Sequence, residues 1–317
     1  MAGGLVHWDD VEPYRLEHGH IDAWWQLLSR QAGSHGIAVN RIRVEPNRWS
    51  TPAHFHTAEE EIFYVLEGSG LSWQNGSVYE IGAGDCLVHR PRREAHSLRA
   101  GDDGLVFLVY ANRVRADSAH MPRTGISAVG DAWTDATWGI GAAYEREAQV
   151  GEPEVGEPEE RRSNIVNVSD LEPDDEGDRV VGATAGATLS GLHHRTLRPG
   201  KASVPAHCHS AEEEFFVMLT GTAVLELIPS PRPASDGVET EHHELRPGHV
   251  VARPPGTRIS HNIVGGDDGG TMLVYGTRDP NDIAYYPHSN KINFRGVGLI
   301  ARLDALEYVD GETEFGG

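Results

Sequence analysis

The sequence has little cysteine, no long apolar run and too few basic residues to balance its acidic ones. Its two cysteines, Cys86 and Cys208, are far apart and fit neither a disulfide framework nor a cysteine-based zinc site. No apolar stretch approaches the roughly 20 residues of a membrane span. The N-terminus, MAGGLVHWDD, lacks the basic and apolar regions of a signal peptide. These absences predict a soluble cytoplasmic protein that does not bind into membranes.

The charge of the chain excludes further classes of partner. The net charge of the 317 residues is −21 at pH 7. Binding to nucleic acid or to anionic membranes needs basic patches, so neither is expected. The length corresponds to about two ordinary domains. Glycine (37) and proline (18) are abundant, which is typical of a turn-rich, β-rich globular protein.

One stretch of the sequence occurs twice. Pro52–Gly68 reads PAHFHTAEEEIFYVLEG, and Pro205–Gly221 reads PAHCHSAEEEFFVMLTG. Both copies contain a His-x-His pair, then a glutamate, then a glycine, and each of these positions is shifted by 153 residues, as from His54 to His207. Two copies in the same register predict a duplicated domain.

The residue types in this stretch indicate a metal site. Side chains of a strand alternate between its faces, so the His-x-His spacing places both imidazoles on the same face. The glutamate lies beyond a short turn, where the chain can bring its carboxylate beside them. Imidazole and carboxylate together suit a borderline transition metal. The alternative is a pair of strand histidines on a solvated face, which the duplication in register argues against.

A second pattern follows each copy. Gly84–Pro91, GDCLVHRP, is followed by His96, and Gly248–Gly256, GHVVARPPG, is followed by His261. With these motifs the chain resembles the cupin superfamily, and with two copies it resembles a bicupin. The resemblance implies an all-β fold of two tandem jelly-roll barrels. Residues 1–115 would form the first cupin domain with a lead-in, 116–164 a linker with the acidic run GEPEVGEPEE, and 165–317 the second domain with an aromatic extension.

The resemblance also implies which residues bind metal. Site 1 would consist of His54, His56, Glu61 and His96, and site 2 of His207, His209, Glu214 and His261. Neither half lacks a ligand, so up to two divalent transition metal ions per chain are expected, with Fe(II) favoured, then Mn, Ni, Co or Cu. Zinc is less favoured because structural zinc sites are usually closed and contain cysteine.

Some neighbours of the ligands need their own interpretation. Arg90-Pro91 and Arg253-Pro254 match between the halves, and Arg90 is a candidate catalytic residue that could hold a carboxylate or enolate substrate. The alternative is an ion pair at the rim. The glutamates that flank the ligand glutamates are expected to be solvated turn residues; they are Glu59, Glu60, Glu212 and Glu213.

Three classes of function fit such sites. The favoured class is a metal-dependent oxidoreductase, a dioxygenase that binds a small aromatic, enolic or enediol substrate and dioxygen. The second is an isomerase or lyase without redox chemistry, and the third is a non-catalytic bicupin that binds metal or a small ligand. Oxalate decarboxylase is disfavoured because its family has an arginine three residues before the first motif histidine, where this chain has Thr51 and Val204.

The two sites are expected to be unequal. Site 1 is favoured as the catalytic one because the segment between its motifs is shorter and should leave its mouth more open. The segment after the second barrel, residues 278–307, has no evident counterpart in the first half. It could cover a barrel mouth or form a homodimer contact.

Overall fold

The computed structural model describes residues 4–129, 132–133, 140–231, 234, 236–304, 306 and 310, and strands dominate it. The strands of the first half are β1 (Leu5–His7), β2 (Tyr14–His18), β3 (Ile21–Gln26), β4 (Ile37–Val44), β5 (Phe55–His56), β6 (Glu61–Gln74), β7 (Ser77–Gly82), β8 (Asp85–His89), β9 (His96–Asn112), β10 (Ser118–Met121), β11 (Ile126–Val129) and β12 (Ala132–Trp133). Those of the second half are β13 (Ile165–Asn167), β14 (Asp178–Arg179), β15 (Ser190–Leu197), β16 (Cys208–His209), β17 (Glu214–Pro229), β18 (Glu241–Leu245), β19 (His249–Arg253), β20 (Ile259–Thr277), β21 (Ile283–Tyr286), β22 (Lys291–Phe294) and β23 (Leu299–Arg302). The α-helices are α1 (Leu28–Gln31), α2 (Ile140–Val150) and α3 (Val181–Thr184), and 3-10 turns span Trp8–Asp10, Val168–Asp170 and Arg295–Val297.

Each half builds a barrel from one large and one small antiparallel sheet. In barrel 1 the large sheet has the order β13-β8-β6-β9-β4-β3-β2, with β7 beside β6, and the small sheet has the order β12-β11-β10-β5. In barrel 2 the large sheet has the order β1-β19-β17-β20-β15-β14, with β18 beside β17, and the small sheet has the order β16-β21-β22-β23. The predicted all-β fold of two tandem barrels is therefore confirmed.

The first strand of each half lies in the sheet of the other half. Strand β1 pairs with β19 of barrel 2, where Leu5 lies opposite Val251. Strand β13 pairs with β8 of barrel 1, where Ile165 lies opposite Leu87. The two large sheets therefore each contain a strand from the sequence-distant half, and the halves are tied together by backbone hydrogen bonds.

The motif glycines allow the long strands to bend. The pairing of β6 with β9 shifts register between Gly68 and Gly70. Gly68 has a φ of +81°, and a β-carbon there would lie 2.2 Å from the carbonyl oxygen of Gly104. Gly221 occupies the same position in β17, where a β-carbon would lie 2.0 Å from the Gly269 oxygen. Only glycine fits this conformation and this close approach of the two backbones.

A shared apolar core fills the space between the barrels. It contains buried side chains from both halves, among them Leu28 of α1 and Val181 of α3. At its centre Tyr110 and Tyr275 stack with ring centroids 5.0 Å apart. Each buried aliphatic or aromatic side chain contributes about 1.5–3 kcal/mol of burial free energy, so this core is a substantial part of the stability.

Two buried glutamates reinforce this interface. Glu60 is fully buried, and its carboxylate accepts hydrogen bonds from the backbone N–H groups of Thr188, Leu189 and Ser190 in the other half. The expectation that the flanking glutamates are solvated is wrong for Glu60, because the turn of one barrel is pressed against a loop of the other.

The equivalent glutamate of the second half makes the reciprocal contact. Glu213 is 1% exposed and accepts hydrogen bonds from the backbone N–H groups of His35 and Gly36. Glu212 is also buried, with its carboxylate beside the Arg295 guanidinium. The solvated-turn prediction is therefore also wrong for these two residues.

The segment assigned to a linker carries secondary structure. Residues 116–164 contain β10, β11, β12 and α2, whereas the acidic run 151–160 forms no helix or strand. Strands β10–β12 occupy in barrel 1 the place that β21–β23 occupy in barrel 2. The segment after the second barrel thus has a counterpart in the first half. No helix among the described residues is long and apolar enough to cross a membrane.

Candidate metal centres

The fold brings the four predicted ligands of site 1 to one point. His56 ends β5, Glu61 begins β6 and His96 begins β9. His54 and His96 hold each other in place through two backbone hydrogen bonds of 3.1 and 2.9 Å. The Nε2 atoms of the three histidines, His54, His56 and His96, lie 3.8, 3.6 and 2.9 Å from Oε2 of Glu61.

Site 2 repeats this arrangement. His207 and His261 share the same pair of backbone hydrogen bonds, of 3.1 and 2.8 Å. The Nε2 atoms of His207, His209 and His261 lie 3.5, 3.3 and 2.8 Å from Oε2 of Glu214. His261 follows a longer inter-motif segment, yet it reaches the same place as His96. Each half thus contains a candidate metal site of three imidazoles and one carboxylate.

Hydrogen bonds at the Nδ1 atoms orient the imidazoles. Nδ1 of His54 donates to the carbonyl oxygen of Pro52 at 2.9 Å, and Nδ1 of His207 donates to that of Pro205 at 2.8 Å. With Nδ1 as the donor, Nε2 carries the free lone pair that a metal ion requires. Both rings therefore present an acceptor atom to the centre of the site.

A second carboxylate supports the middle histidine of each site. Asp117 accepts from Nδ1 of His56 at 2.5 Å, and Asp282 accepts from Nδ1 of His209 at 2.7 Å. Asp117 also accepts from the backbone N–H of Ala58, which fixes its position. Such carboxylate–histidine pairs orient metal ligands and raise their basicity. The sequence analysis did not identify either aspartate. Their positions differ by 165 residues, as do those of His96 and His261, and this shared shift is a signal in the sequence that they are equivalent.

The charges of the site 1 ligands depend strongly on one another. Burial disfavours charge on Glu61, but the surrounding histidines outweigh it and hold its pKa well below its usual range. Burial lowers the pKa of His54 to about 4. For His56, burial is outweighed by the charge of Glu61 and the hydrogen bond to Asp117, which raise its pKa to about 9. In the metal-free site Glu61 is therefore a carboxylate and His56 a protonated imidazole, and a metal ion would replace the proton of His56.

The donor set fits a transition metal ion. Nε2 of His209, Nε2 of His261 and Oε2 of Glu214 are buried and have no hydrogen-bond partner among the described residues. His261 Nε2 lies 2.8 Å from Glu214 Oε2 but outside hydrogen-bonding geometry. Buried polar atoms without partners are rare because their desolvation is not compensated. A divalent ion bound between them would satisfy all three atoms.

Comparison with known proteins agrees with the fold. Residues 40–110 match the family model for the cupin domain. The chain is similar to oxalate decarboxylase from Bacillus subtilis at 17% identity, with 88% of this chain and 77% of that chain covered and a TM-score of 0.59. The chain therefore has a bicupin-like fold. A structure from work on the Mn(II) centres of the Bacillus subtilis enzyme gives 16% identity, coverage of 88% and 78%, and a TM-score of 0.57.

A second oxalate decarboxylase is equally similar in fold. The formate complex of the Lactobacillus farciminis enzyme gives 18% identity, coverage of 88% of this chain and 87% of that chain, and a TM-score of 0.59. A search of curated proteins with the sequence gives no match.

The cavity at site 1 is largely apolar and aromatic. It has a volume of about 280 Å³, and the described residues that line it include no lysine or arginine. Its walls contain Trp25, Phe63, Phe107 and Met121, and Tyr144 from α2 closes one side. The expectation of a more open site 1 is not met, because its cavity is the smaller of the two, about 280 Å³ against about 460 Å³ at site 2.

The cavity at site 2 is larger and cationic. Its volume is about 460 Å³, and four cationic side chains line it: Arg195, Arg278, Lys291 and Arg295. Tyr286 stacks against the ligand His207 with ring centroids 5.7 Å apart. Two nearly identical metal-ligand sets therefore face two chemically different cavities.

The arginine match between the halves is wrong by one residue. In the sheets, Glu61 lies opposite His89, and Glu214 lies opposite Arg253. Arg253 thus corresponds to His89, and Arg90 has no arginine counterpart. Arg90 points away from the site 1 cavity, and its Nε donates to the carbonyl oxygen of Gly186 at 2.6 Å. The structure gives Arg90 a contact between the halves and no contact with the cavity.

His89, the residue of barrel 1 that corresponds to Arg253, packs directly on the candidate ligand His96. His89 is buried and stacks on His96 with ring centroids 3.8 Å apart and the planes 7° from parallel. Burial lowers the pKa of His89 well below its usual range, so the ring is neutral. A neutral flat ring fixes the orientation of His96 without repelling a bound cation.

Proposed function

We propose that the chain is a metal-dependent oxidoreductase, a dioxygenase that acts on a small aromatic, enolic or enediol substrate at site 1. The observation that carries this proposal is the convergence of three imidazoles and one carboxylate beside a largely apolar cavity with aromatic walls. Apolar walls with a few polar groups are typical of sites that take small organic molecules. No lysine or arginine lines this cavity among the described residues, so a substrate with several negative charges is not favoured there.

His54, His56, His96 and Glu61 would hold the metal ion. Fe(II) is favoured, and manganese is the first alternative because the Bacillus subtilis oxalate decarboxylase of the same fold has Mn(II) centres. A bound ion of this kind would leave positions open for substrate oxygen atoms and dioxygen, and it stabilises developing negative charge.

The cavity walls would bind and orient the substrate. Phe63 and Phe107 offer ring faces and edges for packing against a planar substrate and exclude water. The polar groups of the cavity include the hydroxyls of Thr51 and Ser97, which lie 3.4 Å apart. These hydroxyls can hydrogen-bond to substrate oxygen atoms that are not bound to the metal, and so fix the substrate in one orientation.

Oxalate decarboxylase activity remains disfavoured despite the shared fold, since a fold hosts many reactions. Thr51 lines the cavity of site 1 and Val204 that of site 2, at the positions where the oxalate decarboxylase family has an arginine. The positive charge of that arginine is therefore missing from this position in both halves. A non-redox isomerase or lyase is the alternative function, and oxygen consumption separates it from the proposal.

The duplication supplies matched variants for the test. The protein would be purified without oxygen, reconstituted with Fe(II) or Mn(II) and assayed for oxygen uptake with catechols, enediols and diketones. We expect uptake in the wild type and in His207→Ala, and none in His54→Ala. Turnover without oxygen uptake would replace the proposal by the isomerase or lyase. Activity that survives His54→Ala but not His207→Ala would move the reaction to site 2.

Elemental analysis of the same preparations tests the sites themselves. We expect two metal ions per wild-type chain and one in the double variant Glu61→Ala/His96→Ala, since each ligand set comes from a single barrel. A wild-type content near zero after reconstitution would contradict both sites. Loss of both ions in the double variant would show that the barrels do not bind metal independently.

A further inference from the structure

The two barrels differ at equivalent positions of the same wall. In barrel 1, Ala119 of β10 pairs with the ligand His56, and in barrel 2, Ala284 of β21 pairs with the ligand His209. This pairing aligns the two small sheets residue by residue. Met121 and Tyr286, which lie two residues after these alanines, are therefore equivalent. In the next strand Ile126 pairs with Met121 and Lys291 pairs with Tyr286, so Ile126 and Lys291 occupy equivalent positions.

The same change from apolar to charged occurs on the opposite wall. Ile42 of β4 and Arg195 of β15 are equivalent, because their positions differ by 153 residues, as do those of His54 and His207. Ile42 lines the cavity of site 1, and Arg195 lines that of site 2. Arg195 is held by Asp178, whose Oδ2 accepts from its Nη2 at 2.9 Å. Two separate strands of barrel 2 thus carry a cation where barrel 1 carries isoleucine.

Two of the four cations of site 2 have no carboxylate partner. Arg195 pairs with Asp178, and Arg295 pairs with Glu212. Arg278 donates only to the carbonyl oxygen of Ser190, and the Lys291 ammonium lies 5.3 Å from the centre of the Tyr286 ring. Neither of these two forms an ion pair with another described residue.

This excess of cations does not follow from the composition of the chain. The net charge is −21, and Lys291 is one of only two lysines in the sequence. Arg278 and Lys291 come from different elements, the end of β20 and the start of β22, yet they line one cavity. Among the described residues, the carboxylates that line it are Glu212, paired with Arg295, and Glu214, whose charge a divalent ion would offset.

From these differences we propose that the cavity at site 2 binds a small organic anion with at least two negative charges, either a dicarboxylate or a phosphate-bearing molecule. Lys291 and Arg278 would pair with its charges, and Arg195 and Asn293 line the same cavity as further hydrogen-bond donors. The volume of about 460 Å³ admits a ligand of several carbon atoms. This site is separate from the reaction proposed for site 1 and does not depend on it.

Calorimetric titration of the full chain, with and without reconstituted metal, tests this binding. The probes are succinate, its uncharged diamide, acetate and inorganic phosphate. We expect one dianion per chain to bind, more tightly than acetate and far more tightly than the diamide, with an affinity that falls as salt is added. Tighter binding of phosphate than of succinate would assign the site to phosphate-bearing ligands, and the reverse to dicarboxylates.

Three variants locate the bound anion. Lys291→Gln should weaken binding about tenfold or more, as expected for loss of a charged hydrogen-bonding partner, and Lys291→Arg should restore most of it. Lys201→Gln is the matched control, because Lys201 is the other lysine and is exposed outside the cavity. His54→Ala should leave anion binding unchanged.

Several results would overturn the proposal. They are the absence of binding by succinate and phosphate alike, equal binding of succinate and its diamide, and equal effects of Lys291→Gln and Lys201→Gln. Loss of binding in His54→Ala but not in Lys291→Gln would place the anion at site 1. The thermal unfolding midpoint of Lys291→Gln should match that of the wild type, and a large fall would call for Arg278→Gln in its place.

Discussion

Replacement of Glu60 by alanine should destabilise the protein far more than the loss of an ordinary surface glutamate. The Glu60 carboxylate is fully buried and accepts five hydrogen bonds from the other half. They come from the backbone N–H groups of Thr188, Leu189 and Ser190 and from the hydroxyls of Thr188 and Ser190, at 2.8 to 3.2 Å. In Glu60→Ala the hydroxyls can turn to other acceptors, but the three N–H groups cannot.

The size of the effect follows from those three groups. A buried donor without a partner costs about 1–3 kcal/mol, and water that enters the space left by the side chain recovers part of this. We therefore expect a loss of about 3–5 kcal/mol in the free energy of unfolding. Glu213 accepts from only two backbone N–H groups, so Glu213→Ala should cost about 2–3 kcal/mol.

Urea denaturation followed by circular dichroism measures these values. Glu172 is exposed, and Glu172→Ala is the control, expected within about 0.5 kcal/mol of the wild type. Metal content should be measured in parallel because Glu60 precedes the ligand Glu61. A loss below about 1 kcal/mol in Glu60→Ala, or a larger loss in Glu213→Ala, would refute the reasoning.

Three further outcomes are expected. Asp117→Asn should lower the metal affinity of site 1 about 10- to 100-fold without changing that of site 2, because the amide no longer fixes His56 as a carboxylate does; equal affinities in an equilibrium dialysis series would contradict this. In the metal-free protein the pKa of His56 is raised to about 9, so metal binding at pH 7 should release about one proton per site 1 ion, and affinity should rise with pH until about 9. Titration in buffers of different ionisation enthalpy measures that proton, and its absence would show that His56 is already neutral. Limited proteolysis should cut first within residues 154–158, which are exposed, whereas a first cut inside a barrel would show that this run is protected.

The sequence was sufficient for the fold, through the resemblance to bicupins, and for the candidate ligands that the structure brings together, through local patterns and the same resemblance. His54 and His56 must share a face in any strand, and an identical arrangement at His207 and His209 makes chance improbable. The resemblance to cupins then added His96 and its counterpart. The alternation and spacing of residues within a short motif can be recognised in a single sequence.

Contacts between segments that are distant in the sequence could not be predicted from such motifs. Glu60 looks like its neighbours in the sequence, and only the packing of the two barrels makes it a buried residue. The sequence match of Arg90 with Arg253 is out of register by one residue, because Glu61 pairs with His89 and Glu214 with Arg253. A single-residue error of this kind assigns the wrong side chain to a position beside the site.

Asp117 and the exchanged strands could have been found with a closer comparison of the halves. Asp117 and Asp282 share the 165-residue shift of the last ligands. The segments LVHWDDVEP at Leu5 and IVNVSDLEP at Ile165 are also similar and form the two exchanged strands with the turns that follow. Their similarity indicates equivalent elements, but nothing in either segment tells which barrel it joins.

The exchanged strands bear on how the two cavities came to differ. In a half chain on its own, the edge of β8 or β19 would be unpaired, and the first strand of that half would have no strand to pair with. A second copy of the same half would supply both missing pairings. In topology the chain therefore corresponds to a domain-swapped homodimer whose two subunits have become covalently joined. In a true homodimer every substitution appears twice, so both pockets change together. Once the subunits are joined, isoleucine can remain at position 126 while lysine occupies position 291, and one molecule can keep a largely apolar pocket and a cationic one on the same scaffold.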